Sequence, residues 1–174
     1  DFSSAKIDLD SDTSELIENY AAQGQIPRKL MEACKKAQEL AESGEKVIIW
    51  TSFLHNIKMI EEQLLKNNVR QNQLLVIDGS VPKDDQDDIH DNREKRIRLF
   101  KEDPNYKILI ATPPSCSESV SLHKNSRNEL VCKHAIYFDR TFNAAHYMQS
   151  KDRIHRVGMK DVTVTYWIFR SAYP

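Results

Sequence analysis

Short apolar runs rich in β-branched residues alternate along this chain with longer segments in which apolar residues recur at helical spacing. The short runs predict strands at 46–51, 73–77, 107–111, 134–138 and 162–169. The longer segments predict helices at 27–43, 55–67, 83–101 and 143–155. Because strands and helices alternate, the pattern favours βαβ units and an α/β fold, with a parallel sheet covered by helices on both faces.

The loops that follow the predicted strands are the expected place for functional residues, since working side chains of parallel sheets lie at the carboxyl ends of strands. Four such loops stand out, at 51–53, 78–80, 112–122 and 139–143. Gly44 lies where a helix cap is expected, between the first helix and the first strand. We interpret residues 1–24 as a polar lead-in and residues 25–174 as one α/β domain.

The amino-acid composition argues against several classes of protein. The 25 Lys and Arg residues nearly balance the 26 Asp and Glu residues, which argues against a uniformly basic nucleic-acid-coating protein but allows a local phosphate-binding strip. No apolar run approaches the ~18 residues that span a bilayer, so we expect no membrane partner. Cys34, Cys116 and Cys132 are far apart and odd in number, which indicates free thiols in a reducing, intracellular compartment.

Phosphate-loop and metal patterns do not match this sequence. None of the 4 glycines belongs to a G-x-x-x-x-G-K-[ST] loop, so any triphosphate must be held mainly by another domain. The acidic residues at 8–12 lack the glycine and glutamate that a calcium loop needs, and the spacing of His123, Cys132 and His134 fits no standard zinc site. We therefore predict no metal site in this chain.

The strongest signal for chemistry is the segment 149–158, with the sequence QSKDRIHRVG. At ~100° per residue on a helix, Gln149, Arg153 and Arg156 fall within about 60° of one another. Guanidinium groups suit phosphoryl transfer, because they donate paired hydrogen bonds to oxygens on which charge develops. For these residues alone, a solvated basic helix face is an equally good interpretation.

The ordered set of motifs resembles the second RecA-like lobe of superfamily-two helicases, specifically that of the Swi/Snf-type DNA translocases. Residues 149–158 match that family's motif VI, Q-x-x-D-R-x-H-R-x-G, at every specified position. Residues 47–53 resemble motif IV, 77–80 resemble the following strand and loop, and 97–100 with 108–112 resemble the approach to motif V. The resemblance extends from about residue 27 to residue 169 and implies a RecA-like lobe excised from a larger protein and truncated after its last strand.

The resemblance also implies roles for the residues that match. Those that would act on ATP held by the other lobe are the arginine fingers Arg153 and Arg156, with Gln149, Glu118 and Asp152 near the nucleotide. Those that would face the DNA backbone are Thr51, Ser52, Gly79, Ser80 and Thr112, whose hydroxyl and amide groups can bind phosphates without reading bases. A surface carboxylate without such a role is an equally good interpretation of Glu118.

The resemblance implies ATP with Mg²⁺ as cofactor, the metal being held mainly by an N-terminal RecA-like lobe. That lobe and double-stranded DNA are the implied partners, in the nucleus of a eukaryote or the cytoplasm of a prokaryote. Two features depart from the family pattern: the loop 113–122 lacks the usual glycines, and 123–133 is a polar insertion. An RNA helicase lobe and a catalytically idle nucleic-acid-binding or regulatory lobe remain as alternatives.

Overall fold

The computed structural model of this 174-residue chain describes residues 27–82, 91–116, 122–139, 144–154 and 163–169. Its strands are β1 (Lys46–Trp50), β2 (Leu74–Ile77), β3 (Ile108–Ala111), β4 (Cys132–Tyr137) and β5 (Thr165–Ile168). Its helices are α1 (Arg28–Glu42), α2 (Leu54–Lys66), α3 (Arg93–Glu102) and α4 (Ala144–Lys151). Among these residues, no helix is long and apolar enough to cross a membrane.

The strands form one parallel sheet in the order β2-β3-β1-β4-β5. Alternate side chains of a strand point to opposite faces, so the central strand β1 contributes to two cores. Val47 and Ile49 pack beneath α1 and α2, whereas Ile48 and Trp50 pack with α3 and Ile154 on the opposite face. The predicted α/β fold, a parallel sheet covered on both faces, is confirmed.

The ends of α1 and α2 set the direction in which the chain enters the sheet. After α1, Gly44 adopts a φ of 87°, its N–H donates to the Ala41 carbonyl at 3.1 Å, and the Glu45 N–H donates to the Leu40 carbonyl at 3.0 Å. This hydrogen-bond pair is a Schellman cap, and it confirms Gly44 as the helix terminator. Asn68, with a φ of 66°, occupies the same position after α2.

The charged helix predicted from residue 83 begins later in the structure. Asn92 has extended backbone angles, and its side chain accepts a hydrogen bond from the Lys95 N–H at 2.8 Å. An asparagine in this position caps a helix, because it satisfies an N–H that has no partner within the helix. The prediction is therefore wrong at residues 91–92, while residues 83–90 lie outside the described part of the chain.

The last helix is shorter than its sequence pattern predicts. α4 ends at Lys151, and residues 152–154 form a turn in which the Arg153 carbonyl accepts a hydrogen bond from the Leu122 N–H at 2.9 Å. The prediction of a helix through residue 155 is wrong at these three residues. The ~100° spacing that placed Gln149 and Arg153 on one helix face therefore does not apply beyond Lys151.

The polar segment 123–133 folds back on itself and leads directly into β4. Lys124 and Leu130 form an antiparallel bridge, and Asn128 adopts a φ of 65° in the turn between them. The Ser126 N–H donates to the Glu102 carboxylate at 2.7 Å, which joins this turn to the end of α3. Because β4 begins at Cys132, residues 132–133, the last two of this segment, belong to the sheet.

All three cysteines are free, as the sequence predicts, and all three are buried. Burial raises the thiol pKa to about 12 for Cys34, to about 11 for Cys116 and to about 12 for Cys132. Each pKa unit above the working pH lowers the thiolate fraction about tenfold, and the thiolate is the reactive form. We expect a colorimetric disulfide reagent at pH 8 to label the three thiols only as the chain unfolds. Rapid labelling of the folded chain would contradict this arrangement.

Candidate functional site

Loops from three adjacent strands meet at the carboxyl edge of the sheet. Strand β1 pairs in parallel with β3 on one side and with β4 on the other, so their carboxyl ends lie side by side. A small depression opens there. Its walls come from these strand ends and from α4, and they consist of Trp50, Thr51, Ser52, Pro113, Tyr137, Asp139, Tyr147 and Ser150.

The Asp139 carboxylate ties the end of β4 to the end of β1. It accepts hydrogen bonds from the Thr51 hydroxyl, from the Ser52 N–H at 2.7 Å and from the Asn56 side-chain amide at 2.9 Å. Three donors on one carboxylate fix the loop after β1 and the first turn of α2 in a single arrangement. We refer to Asp139, Thr51, Ser52 and Asn56 as the Asp139 cluster.

Thr51 is buried at the end of β1. Only 1% of it is exposed, and its hydroxyl donates to Asp139. In this structure the Thr51 hydroxyl supports the neighbouring Ser52 through their shared acceptor, Asp139, and a contact between Thr51 and DNA stays a prediction. Ser52 itself is half-buried at the rim of the depression.

Gly79 and Ser80 lie exposed in the loop after β2. The Asp78 carboxylate organises this loop by accepting hydrogen bonds from the Ser80 N–H at 2.8 Å and from the Ser80 hydroxyl at 2.6 Å. Burial opposes ionisation of Asp78, but the hydrogen bonds from Ser80 outweigh it and lower the pKa of this carboxyl group. The loop therefore carries a negative charge beside its exposed backbone.

The turn after β3 holds Thr112 without any glycine. Residues Pro113–Cys116 form a 3₁₀ turn, and the Thr112 hydroxyl donates to the Ser115 hydroxyl at 2.9 Å. The Ser115 hydroxyl also lies 2.9 Å from the Ile77 carbonyl, at the end of β2. Prolines preset the backbone for such a turn, and residues 113–116 form a compact link between the ends of β2 and β3. Thr112 is only 8% exposed.

α4 brings the arginine-containing segment to this edge. The Ser150 and Tyr137 hydroxyl oxygens lie 2.8 Å apart, which joins α4 to β4. Gln149 and Asp152 are exposed, whereas Arg153 is only 9% exposed. Arg153 lies close to Cys116: burial raises the pKa of the Cys116 thiol, and the positive charge of Arg153 partly opposes that rise. Arg156 and Glu118 lie outside the described residues.

Sequence reasoning assigned no role to two residues that organise the site. Asp139 belongs to a loop that the strand pattern had marked, but its three hydrogen-bond donors come from residues more than 80 positions away. Arg93 was one of many charges in the predicted helix, and nothing in the sequence distinguishes it. Its guanidinium donates to the carbonyls of Val81 at 2.7 Å, Gly79 at 3.3 Å and Ser115 at 3.5 Å.

Metal ligands are not grouped at this edge. In the part of the chain that the structure describes, no three His, Cys, Asp or Glu side chains form a group suited to a metal ion. Asp78 and Asp139 accept hydrogen bonds from protein donors.

Comparison with protein families and curated sequences gives consistent matches. The family described as helicase conserved C-terminal domain matches residues 28–158. The "DNA excision repair protein ERCC-6-like" of Bos taurus is 30% identical over 79% of this chain and 10% of its own length. The "ATP-dependent helicase fft1" of Schizosaccharomyces pombe is 28% identical over 75% of this chain and 12% of its own length. The chain thus spans about a tenth of these relatives' length.

Solved structures show the same fold. The C-terminal part of the Fun30 ATPase domain superposes with a TM-score of 0.59 at 23% identity, covering 90% of this chain and 48% of that one. The T4 UvsW structure superposes with a TM-score of 0.58 at 14% identity, covering 94% of this chain and 28% of that one. The parallel sheet and its helices are thus shared with both structures.

Proposed function

Because this chain belongs to the helicase conserved C-terminal domain family, of the Swi/Snf type, we propose that it is the C-terminal motor lobe of an ATP-dependent double-stranded DNA translocase. The observation that carries the proposal is the convergence at the carboxyl edge. There α4, which leads into the motif of residues 149–158, lines one depression together with Ser52 and Pro113. In this proposal the carboxyl edge contacts DNA and the segment 149–158 contacts ATP, so both contacts are made by one domain.

ATP with Mg²⁺ is held, in this proposal, mainly by an N-terminal RecA-like lobe that supplies the phosphate loop and the metal ligands. Arg153 and Arg156 stabilise the charge that develops on the γ-phosphate, and Gln149, Asp152 and Glu118 lie near the nucleotide. Exposed Gln149 and Asp152 are accessible for such contacts. Arg153, being largely buried, needs a rearrangement on lobe closure to reach ATP.

An N-terminal lobe facing this edge accounts for an exposed apolar pair. Phe53 is 60% exposed and Leu54 is 57% exposed, and both lie at the start of α2 beside the end of β1. Adjacent large apolar side chains are often covered in an assembled protein. We call the protein in which this lobe works with its N-terminal lobe the two-lobed ATPase.

DNA contacts are proposed for the exposed loop residues Gly79 and Ser80 and for Thr51, Ser52 and Thr112 at the neighbouring strand ends. Hydroxyl and backbone groups of this kind bind phosphates regardless of base sequence. The near-balance of 25 basic and 26 acidic residues limits this to local contacts, so binding by the lobe alone should be weak and sensitive to salt. Repeated closing and opening of the two lobes would convert ATP hydrolysis into movement along DNA in an intracellular, nuclear or nucleoid setting.

Steady-state ATP hydrolysis by the two-lobed ATPase tests the proposal. We expect duplex DNA to raise kcat for ATP, and duplex RNA of the same sequence to raise it much less. The 174-residue chain alone should hydrolyse no ATP, because half of a cleft supplies neither the phosphate loop nor the metal ligands.

Other outcomes would favour a different function for this lobe. Greater stimulation by RNA would favour an RNA helicase lobe. The absence of hydrolysis with either nucleic acid, in a folded preparation that still binds DNA, would favour a catalytically idle lobe. Turnover by the 174-residue chain alone would overturn the two-lobe proposal.

A further inference from the structure

The guanidinium group of Arg93 joins the two loops in which most of the proposed DNA contacts lie. It donates from Nε to the Val81 carbonyl at 2.7 Å and from one terminal nitrogen to the Gly79 carbonyl at 3.3 Å. The other terminal nitrogen lies 3.5 Å from the Ser115 carbonyl. The planar fork of this one side chain thus bridges the loop after β2 and the turn after β3.

The backbone of Arg93 reinforces this arrangement. Its N–H donates to the Pro82 carbonyl at 2.9 Å, in the segment that continues from the loop after β2. Asn92 fixes the first turn of α3, from which the Arg93 side chain extends. The guanidinium is therefore held by a helix terminus while it binds two loops.

The charge of Arg93 is not neutralised by the groups to which it donates. All three acceptors are backbone carbonyls, and within the described residues no carboxylate lies within ion-pair distance of this guanidinium. Hydrogen bonds from a charged donor are stronger than those between neutral groups. A lysine offers a point charge without the fork, so it cannot satisfy the same three carbonyls in the same geometry.

We propose that Arg93 is a positioning residue for DNA binding: by holding the Gly79 and Ser115 carbonyls, it fixes the spacing between the loop of Gly79 and Ser80 and the turn that follows Thr112. This inference rests on the proposed function, because it concerns the same DNA-facing edge. A rigid pair of loops binds successive phosphates without first losing conformational entropy. Arg93 acts through the loops and need not touch DNA.

Arg96 provides a matched control on the same helix. It is also half-buried, and it donates to the Val76 carbonyl and to the Asp91 carboxylate, the latter at 3.0 Å from Nε. It contacts neither the Gly79 carbonyl nor the Ser115 carbonyl. The substitutions Arg93→Lys and Arg96→Lys both remove a half-buried fork from α3, but only the first releases the two loops.

The test measures DNA-stimulated hydrolysis by the two-lobed ATPase as DNA is titrated. We expect Arg93→Lys to raise the DNA concentration for half-maximal stimulation about five- to tenfold, the size expected for the net loss of one ordinary hydrogen bond. KM for ATP should stay at the parental value, and Arg96→Lys should leave the DNA titration unchanged. The Arg93→Gln variant, which keeps a donor but no charge, should weaken DNA binding similarly.

Two further measurements separate positioning from direct contact and from general destabilisation. The slope of log affinity against log salt should remain parental in Arg93→Lys and Arg93→Gln, whereas loss of a phosphate contact would reduce it by about one in Arg93→Gln. Amide hydrogen exchange should increase at residues 78–82 and 112–116 in the Arg93 variants and not in Arg96→Lys. A folded Arg93→Lys variant with parental DNA titration and parental exchange would overturn the inference, and so would a reduced salt slope.

Failure of the proposed function gives a different result. If the parental two-lobed ATPase shows no stimulation by duplex DNA, the proposed function is overturned, and this inference with it. If stimulation is present but the Arg93 and Arg96 variants behave alike, the translocase proposal stands and the positioning role is rejected. If Arg93→Lys does not fold, the same DNA titration and hydrogen-exchange measurements on Arg93→Gln test the positioning role.

Discussion

Replacing Arg156 by alanine in the two-lobed ATPase should lower kcat for ATP by about 10³-fold or more, the range in which arginine fingers act. The guanidinium stabilises charge that develops in the transition state, so KM for ATP should change little. Lysine should restore little activity, because a point charge cannot span two phosphate oxygens. The comparison is made by steady-state kinetics in saturating duplex DNA, with thermal melts as a control for folding.

Arg153→Ala should lower both kcat for ATP and the stability of the domain. Because Arg153 is only 9% exposed, its truncation should lower the free energy of unfolding by about 2 kcal/mol as well as lowering kcat. The burial of Arg153 argues against a solvated helix face as the setting of this residue. If both alanine variants melt normally and keep parental kcat, the motif of residues 149–158 is not catalytic in this protein.

The centre of the sheet could be predicted from sequence because strands β1 and β3 are buried on both faces. Residues 46–50 and 108–111 are continuous apolar runs apart from Lys46, and a parallel sheet covered by helices requires such runs. Lys46 fits at the start of β1 because its ammonium group donates to the Phe100 and Asp103 carbonyls. Short apolar runs therefore identified these strands without any knowledge of their neighbours.

Helix ends were less predictable, because they depend on single side chains and on tertiary contacts. Gly44 could be identified since a φ of 87° suits glycine. The start of α3 depends on the Asn92 cap, which the run of charged residues concealed. The end of α4 coincides with a hydrogen bond from Leu122 to the Arg153 carbonyl, a long-range contact that no local pattern contains.

The candidate site was predictable at the level of loops and not of contacts. The rule that functional residues follow parallel strands identified the loops of Ser52, Gly79 and Thr112. It did not reveal that the Thr51 hydroxyl points inward or that Arg93 bridges two loops, because both facts require the relative positions of residues far apart in sequence. Motif matching likewise assigns residue types to positions without specifying their exposure, as Arg153 illustrates.

Removal of the Asp139 carboxylate should destabilise the domain by about 2–4 kcal/mol, since it leaves the buried Thr51 hydroxyl without its acceptor and releases two further donors. For a domain of this size, each kcal/mol lowers Tm by roughly 2–4 °C. The measurement is thermal and urea unfolding of Asp139→Ala. Asp139→Asn should be intermediate, because an amide oxygen can accept only part of the same set of hydrogen bonds.

Asp103→Ala is the matched control, because the one hydrogen bond that its carboxylate accepts within the described residues comes from the Asn105 N–H, at 2.8 Å, in a turn away from the carboxyl edge. Asp103→Ala should lower the free energy of unfolding by much less than Asp139→Ala does. A double-mutant cycle with Thr51→Val isolates the buried pair: we expect a coupling energy of about 1–2 kcal/mol between residues 51 and 139, as for contacting residues in one network. Additive effects in this cycle, or equal melting of the Asp139 and Asp103 variants, would show that the Asp139 cluster does not hold the β1 and β4 loops together.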